Sequence, residues 1–457
     1  MYGSKAGNLI KLSSNGVVVP KTWVIRNNYP LSILEKNHVD LYNKEDVYNF
    51  FENEFTSYTE LYSEVEEFLK LNKEIKRYAI RSSQEYEDGE ETSFSGLFYT
   101  ELNLGNVADI TNSIIKCWKE SFNEGLLEYS KKNKRFKPTP CAVIIQQFIM
   151  SDKSGVIFKS NDDIIIDSNF GLAKSIVDGE TGTDEWIINS KTEKVVSYIS
   201  NKEKMNIPIT SRVNPNINEL VDYKNYKELK VKDFNNEDTV LEVELSKQLK
   251  ETPSLNNEEI KLLVNKCDIV SKILNIKNFD IEWTFENNIL YILQCRPLTK
   301  LLDLNNRIVH KSNSLNSNYG IGLVKGEAIG IATKVYDDNT AINFKKGSIL
   351  VTKKLVGNTL LSASKAIGCI IESKSPLSHS AIIARELGIP VIGNVNLEEI
   401  KDGERYYING ITGEYRITTN IEMDNEGKKS SKEKRIKDRK TRENIKKILI
   451  TFNQDII

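Results

Sequence analysis

The residues Ser378-His379-Ser380-Ala381-Ile382-Ile383-Ala384-Arg385-Glu386-Leu387-Gly388-Ile389-Pro390 are the stretch of this chain whose types and spacing could most directly do chemistry. Pro376 disfavours helix in the residue before it, and Ser378 can cap the first exposed amides, so the order predicts a helix that begins at His379. Ala381, Ile382, Ala384 and Leu387 form an apolar stripe at near-helical spacing, Gly388 supplies a stop, and a short strand resumes at Ile389. A helix N-terminus carries unpaired amides and a partial positive charge. Both stabilise a bound phosphoryl group and keep an imidazole neutral, hence nucleophilic. The chain has only three histidines. On these residues alone two readings of His379 stay open: a phosphoryl-accepting nucleophile, or a capping or packed histidine.

Three other groups could meet a phosphate. In Gly3-Ser4-Lys5-Ala6-Gly7-Asn8-Leu9, glycines flanking a lysine let backbone and ammonium approach an anion together. In Arg81-Ser82-Ser83, followed by Asp88 and Ser93-Phe94-Ser95-Gly96, a guanidinium fork precedes a turn whose amides can cover phosphate oxygens; the alternative for Arg81 is a surface ion pair. The runs Asp280-Ile281-Glu282-Trp283-Thr284-Phe285 and Leu290-Tyr291-Ile292-Leu293-Gln294-Cys295-Arg296-Pro297 read as a hairpin. A loop of three or five residues sets Glu282 opposite Gln294, on one face with Asp280, Ile292 and Arg296. A two-residue turn shifts the pairing by one and separates them. On one face, two oxygen ligands suit Mg2+ that completes its shell from water and ATP phosphates, and Arg296 would offset developing phosphoryl charge. The alternative is an ordinary polar hairpin face.

These groups need elements to hold them. At 457 residues and 39% hydrophobic, the chain can bury several cores, about three domains on the usual size prior. Residues 1 to about 300 alternate helical and strand-like segments, including helices over Glu64 to Lys73 and Asn112 to Lys131 and strands over Ala142 to Ile149 and Asp163 to Asp167, which implies an α+β unit or a pair of lobes. Leu301 to Asn318 is rich in Asn and Ser and reads as a linker. A second unit follows to Asn420, with glycines at 320, 322, 326 and 330, a strand at Ser348 to Thr352 and the histidine helix. The formal charge of −1 gives nucleic acid and membrane no support, although residues 428 to 447 hold eleven Lys or Arg against three acids. That run is read as a solvated helix or frayed tail, with an anionic partner as the alternative. No apolar run approaches a membrane span, no apolar signal core opens the chain, and five scattered cysteines fit reduced thiols, so a cytoplasmic protein is expected.

In order and spacing these segments resemble the family of phosphoenolpyruvate synthase, pyruvate phosphate dikinase and rifampicin phosphotransferase. The histidine segment matches from Ser378 to Pro390, with Lys374, Ser375 and Leu377 where the family usually has two glycines and a threonine. Asn169-Phe170-Gly171-Leu172 through Gly179 and Thr183-Asp184 follow the family too, with Lys174 where an acid is usual. The resemblance implies an α+β / α/β multidomain chain: an ATP-grasp nucleotide-binding domain over 1–300, a linker over 301–318, a swivelling phosphohistidine domain over 319–420 and a basic tail over 421–457. By the same resemblance ATP is held by Lys5, Arg81, Ser93, Phe94, Ser95, Gly96, Gln146, Asp280, Glu282, Gln294 and Arg296. Ser93 to Gly96 form a lid, Gln146 enters the adenine pocket and Glu282 and Gln294 ligate Mg2+. His379 would take the β-phosphoryl of Mg-ATP, releasing AMP and phosphate, and carry it to a small-molecule acceptor. The family's pyruvate barrel and its inserted acceptor domain find no room in this chain. The acceptor is therefore expected in a cleft of these two domains, on another subunit of a homo-oligomer, or on a partner chain. A phosphocarrier half of a split or truncated synthase and a nucleotide-binding pseudoenzyme are the alternatives.

Overall fold

The computed structural model describes residues 2–55, 58–84, 99–123, 126–127, 137–174, 176, 182–192, 194–208, 240–245, 247–298, 318–336, 340–341, 343–355, 358–373 and 378–418. The expected lid from Ser93 to Gly96, the tail over 421–457 and the linker apart from Asn318 lie outside the described residues.

Two antiparallel sheets dominate the first 300 residues. The first has four strands in the order Thr22–Ile25, Ala142–Gln147, Tyr78–Ser83, Thr100–Leu104. Its Tyr78 and Ile80 face helices Tyr58–Leu71 and Val107–Glu120, and the core between them is aromatic, with Trp118, Phe122 and Phe51 buried. The second helix starts ahead of the expected Asn112, because Asn106 caps it by accepting the Asp109 amide at 2.8 Å.

The second sheet has six strands in the order Ile289–Pro297, Phe279–Glu286, Lys153–Ser160, Asp163–Phe170, Asp184–Asn189, Val195–Tyr198. Alternation along these strands gives it two different faces. Ile281, Trp283, Phe285 and Ile292 pack beneath helix Asn257–Leu274, whose N-terminus is a full capping box between Asn256 and Glu259. Asp280, Glu282 and Thr284 lie on the opposite face. Helix Gly3–Ser14 joins the two sheets, packing Ala6 and Leu9 on Ile144 of the first and Leu12 into the core of the second.

The remaining unit is an eight-stranded sheet in the order Asn318–Tyr319, Glu414–Ile417, Arg405–Asn409, Glu327–Lys334, Ile349–Thr352, Gly368–Ile371, Val391–Gly393, Ile321–Val324. The four strands from Glu327–Lys334 to Val391–Gly393 pair in parallel, and the pairs outside them are antiparallel. Helices Asn358–Lys365 and His379–Leu387 are the crossovers between successive parallel strands and share one face of the sheet, with Ala363, Ala381 and Ala384 buried against Leu350, Cys369 and Val391. The chain is thus mixed α/β in more than one unit. Among the described residues no helix is long and apolar enough to cross a membrane, and all five cysteines are buried free thiols.

Candidate functional site

Arg81 sits in the middle of strand Tyr78–Ser83, pointing away from the aromatic core and toward the second sheet. Its Nη2 donates to Glu282 Oε2 at 3.0 Å and to Gln294 Oε1 at 2.7 Å, while Nη1 donates to the Leu293 carbonyl at 3.1 Å. One guanidinium therefore ties the first sheet to two adjacent strands of the second. Arg81 and Gln294 are 9% and 4% exposed, so the network is largely dry and its charge-assisted bonds are strong.

The hairpin reaches this arrangement by a route its residue types do not announce. Its turn is two residues, Asn287 and Asn288, at φ 50° and 65°, the left-handed pair a tight hairpin requires. By itself that turn would separate Glu282 from Gln294. A bulge between Glu282 and Trp283 inserts Leu293 as an unpaired residue, so that Trp283 pairs with Ile292 but Glu282 pairs with Gln294. The bulge has two further consequences. Ile292, expected beside Glu282, instead faces the helix-covered core, and the Leu293 carbonyl is released to accept from Arg81. One step along, Asp280 opposes Arg296, whose Nε donates to both carboxylate oxygens at 2.9 and 2.8 Å; both side chains are buried. Arg296 is thus neutralised by its strand partner.

Lys5 is buried in the first turn of helix Gly3–Ser14. That turn is fastened to the end of the Arg81 strand: the Ser4 amide donates to the Gln84 carbonyl at 3.0 Å and the Ala6 amide to Ser83 Oγ at 3.1 Å. Gly3, at φ +72°, is required there, because a Cβ would lie 2.3 Å from the Ser83 carbonyl oxygen. These two amides are thus engaged inside the protein and not directed at an anion. Asn8, within the opening Gly3-to-Leu9 motif, donates to the Cys295 carbonyl at 2.9 Å and holds the helix on the Gln294 strand. Gln146 pairs with Ala79, and Ile144 with Arg81, so the amide shares a face with the guanidinium. Its Nε2 donates to Thr22 Oγ1 at 3.3 Å, and an apolar cluster of Ala79, Phe148 and Leu172 lies beside it.

The backbone places His379 as the first residue of helix His379–Leu387; its side chain lies outside the described part. Ser378, at φ −62° and ψ 153°, caps the helix by accepting the Ala381 amide at 3.3 Å, and also accepts from Ser373 Oγ at 2.9 Å. Ser380 Oγ accepts the Leu355 amide at 2.9 Å, and Gly388 closes the helix at φ +72°. The helix start lies just past the carboxyl end of strand Gly368–Ile371, where open α/β sheets present their ligands.

Ile382 brings this helix to the other unit. It is 7% exposed and clusters with Val156, Phe158, Ile165 and Ile176. Val156 opposes Glu282 and Phe158 opposes Asp280. The histidine helix is therefore docked on the sheet face that carries Glu282, Gln294 and Arg296. The apolar stripe gave a reason for Ile382 to be buried, but not that the burying surface belongs to a different sheet.

Among the described residues no three His, Cys, Asp or Glu side chains gather as a metal cage. Glu282 and Gln294 supply two oxygens converging on one point, which fits a cation that takes its other ligands from water and phosphate.

Residues 1–317 match the model of the pyruvate phosphate dikinase AMP/ATP-binding domain, and 344–413 that of the PEP-utilising enzyme mobile domain. A probable phosphoenolpyruvate synthase of Staphylothermus marinus is 26% identical over 382 residues, which is 77% of this chain and 45% of that one. One from Archaeoglobus fulgidus is 26% identical over 347 residues, 73% of this chain and 42% of that one. An uncharacterized phosphotransferase of Bacillus subtilis, YvkC, is 26% identical over 311 residues, 66% of this chain and 34% of that one. The chain spans under half the length of these relatives.

Proposed function

Because the chain belongs to the family of the pyruvate phosphate dikinase AMP/ATP-binding domain, we propose that it is a dikinase-type phosphotransferase in which His379 carries the phosphoryl group. In this reading an imidazole nitrogen of His379 attacks the β-phosphorus of ATP and the bond to the α-phosphate oxygen breaks, so AMP leaves. Water then removes the terminal phosphate as inorganic phosphate. The phosphoryl group left on His379 passes to the hydroxyl, amine or carboxylate oxygen of a small acceptor, and the imidazole is regenerated.

The chain's own residues divide the work. Arg81 offers its guanidinium to phosphate oxygens, and Lys5, buried in the helix that joins the two sheets, a second cation. Gln146 and the apolar cluster of Ala79, Phe148 and Leu172 suit a purine, one through an amide and the other by apolar contact. Glu282 and Gln294 would hold Mg2+, which supplies charge neutralisation at the phosphates. Asp280 keeps Arg296 in a fixed orientation beside them, and the buried setting strengthens both. Ser93, Phe94, Ser95 and Gly96 are assigned to the lid by family position alone. The single observation that carries the reading is that Arg81, Glu282 and Gln294, far apart in sequence, meet at one point on the sheet face where the histidine helix is docked.

Phosphoryl delivery to a second substrate requires the histidine unit to leave that face, since one imidazole serves both reactions. Domains over 1–300 and 319–420, joined by 301–318, are proposed as the moving parts. The acceptor is a small molecule bound by these units, by a further copy or by a partner chain. The test is product analysis after incubation with Mg-ATP: AMP and inorganic phosphate are expected, and ADP as the sole product would sink the dikinase mechanism.

A further inference from the structure

We propose that Arg81 is a built-in stand-in for the metal: in the nucleotide-free protein its guanidinium occupies the point on which Glu282 and Gln294 converge, and keeps a divalent cation out until a phosphate draws it away. The inference rests on the assignment of Glu282 and Gln294 as metal ligands made above.

The geometry is specific. A single nitrogen, Nη2, lies 3.0 Å from Glu282 Oε2 and 2.7 Å from Gln294 Oε1, between oxygens contributed by two different strands. A cation that touches both oxygens has to take this place, and its bonds to them would be shorter, about 2.0–2.1 Å for Mg2+. Guanidinium and metal are therefore mutually exclusive. The guanidinium is also fixed from the side by the bulge, through Nη1 and the Leu293 carbonyl at 3.1 Å. The hold is incomplete, because Arg81 Nε is buried and has no acceptor among the described residues.

Charge explains why such a placeholder is useful. The side chains of Glu282 and Arg81 are 13% and 11% exposed, so either ion left alone would be poorly solvated. A divalent cation arriving by itself would pair Glu282 but strand the arginine beside a second positive charge. A polyphosphate arriving with the cation resolves both problems, since its oxygens offer Arg81 a planar, charge-assisted partner while the metal takes the carboxylate. Glu282 then has a cation in both states, and metal and nucleotide enter as one unit. The same exchange leaves the two oxygen ligands already in place when the substrate arrives, which is preorganisation by a residue of the chain.

The test uses the full chain, stripped of divalent ions, with Mn2+ as the probe and water-proton relaxation as the readout, because its enhancement reports protein-bound ion. Wild type is expected to bind Mn2+ about tenfold or more weakly without a non-hydrolysable ATP analogue than with it. Arg81→Met is expected to bind Mn2+ alone about tenfold or more tightly than wild type does, and adding Glu282→Gln to that variant is expected to abolish the gain. Arg81→Gln serves as a second variant, with thermal unfolding to show that each protein is folded. Wild type binding Mn2+ equally with and without the analogue would overturn the stand-in while leaving the metal assignment intact. So would folded Arg81 variants that gain no Mn2+ affinity. Failure of every form to bind Mn2+ even with the analogue would overturn the metal assignment, and the stand-in with it.

Discussion

At the scale of residues, Glu282 and Gln294 stand opposite each other with Arg81 between them, so the single carboxylate is balanced by the guanidinium and needs another cation once that guanidinium turns to phosphate. Glu282→Gln is therefore expected to lower the rate of His379 phosphorylation about 10²-fold and to raise the Mg2+ concentration needed for half-maximal rate, measured by titrating Mg2+ at fixed ATP. Unchanged Mg2+ dependence would remove Glu282 from the site. The thiols make a simpler case. Burial pushes the Cys267 thiol up to about 12 and raises that of Cys369 further, so both stay protonated at neutral pH and are poor nucleophiles. With all five cysteines buried, a disulfide-exchange reagent is expected to modify none of them until denaturant is added. Much of this site was legible, since Arg81, Glu282, Gln294 and Arg296 are charged or amide groups in runs otherwise apolar. Leu293 was not, because it acts through a backbone carbonyl, and every residue type has one.

At the scale of elements, the hairpin shows where reading residue types stops. Two β runs with Asn287-Asn288 between them mark the hairpin, but its loop length stayed open in the residue types, and the register depends on a bulge that none of them requires. Asn288→Gly is expected to stabilise the protein by about 0.5–1 kcal/mol by relieving a left-handed backbone at φ 65°, measured by urea denaturation. The histidine helix was more legible because caps and stripes are local: Ser378 and Gly388 sit where it begins and ends. A fully buried ion pair was not legible at all. Lys202 Nζ donates to Asp184 Oδ1 at 2.6 Å with both side chains 0% exposed, and Asp184 also accepts from Ser200 and from the backbone and hydroxyl of Ser254. Lys202→Met leaves that carboxylate without its cation and is expected to cost about 3–5 kcal/mol; a loss below ~1 kcal/mol would mean the carboxylate is stabilised by the serines and amides alone.

At the scale of the whole molecule, Ile382 is an apolar contact between the two units at the place where chemistry is proposed. Ile382 in the cluster with Val156, Phe158, Ile165 and Ile176 favours the docked arrangement by about 1–2 kcal/mol of burial. Its loss is expected to act on transfer and not on nucleotide binding. Ile382→Ala should slow His379 phosphorylation up to about tenfold with unchanged affinity for an ATP analogue, as read by rapid-quench phosphorylation beside calorimetry. A matching fall in nucleotide affinity would place Ile382 in the nucleotide pocket instead. The shift from mixed helix and strand to glycine-punctuated strands is local and can be read from residue types, whereas the docking of the histidine helix on the second sheet depends on shape complementarity between surfaces distant in sequence. The most direct measurement of the central claim follows label from ATP marked in its β-phosphate. The label is expected on the protein as an acid-labile phosphate at His379 and absent from His379→Asn. Label that persists in His379→Asn, or protein labelled by γ-marked but never by β-marked ATP, would contradict the account.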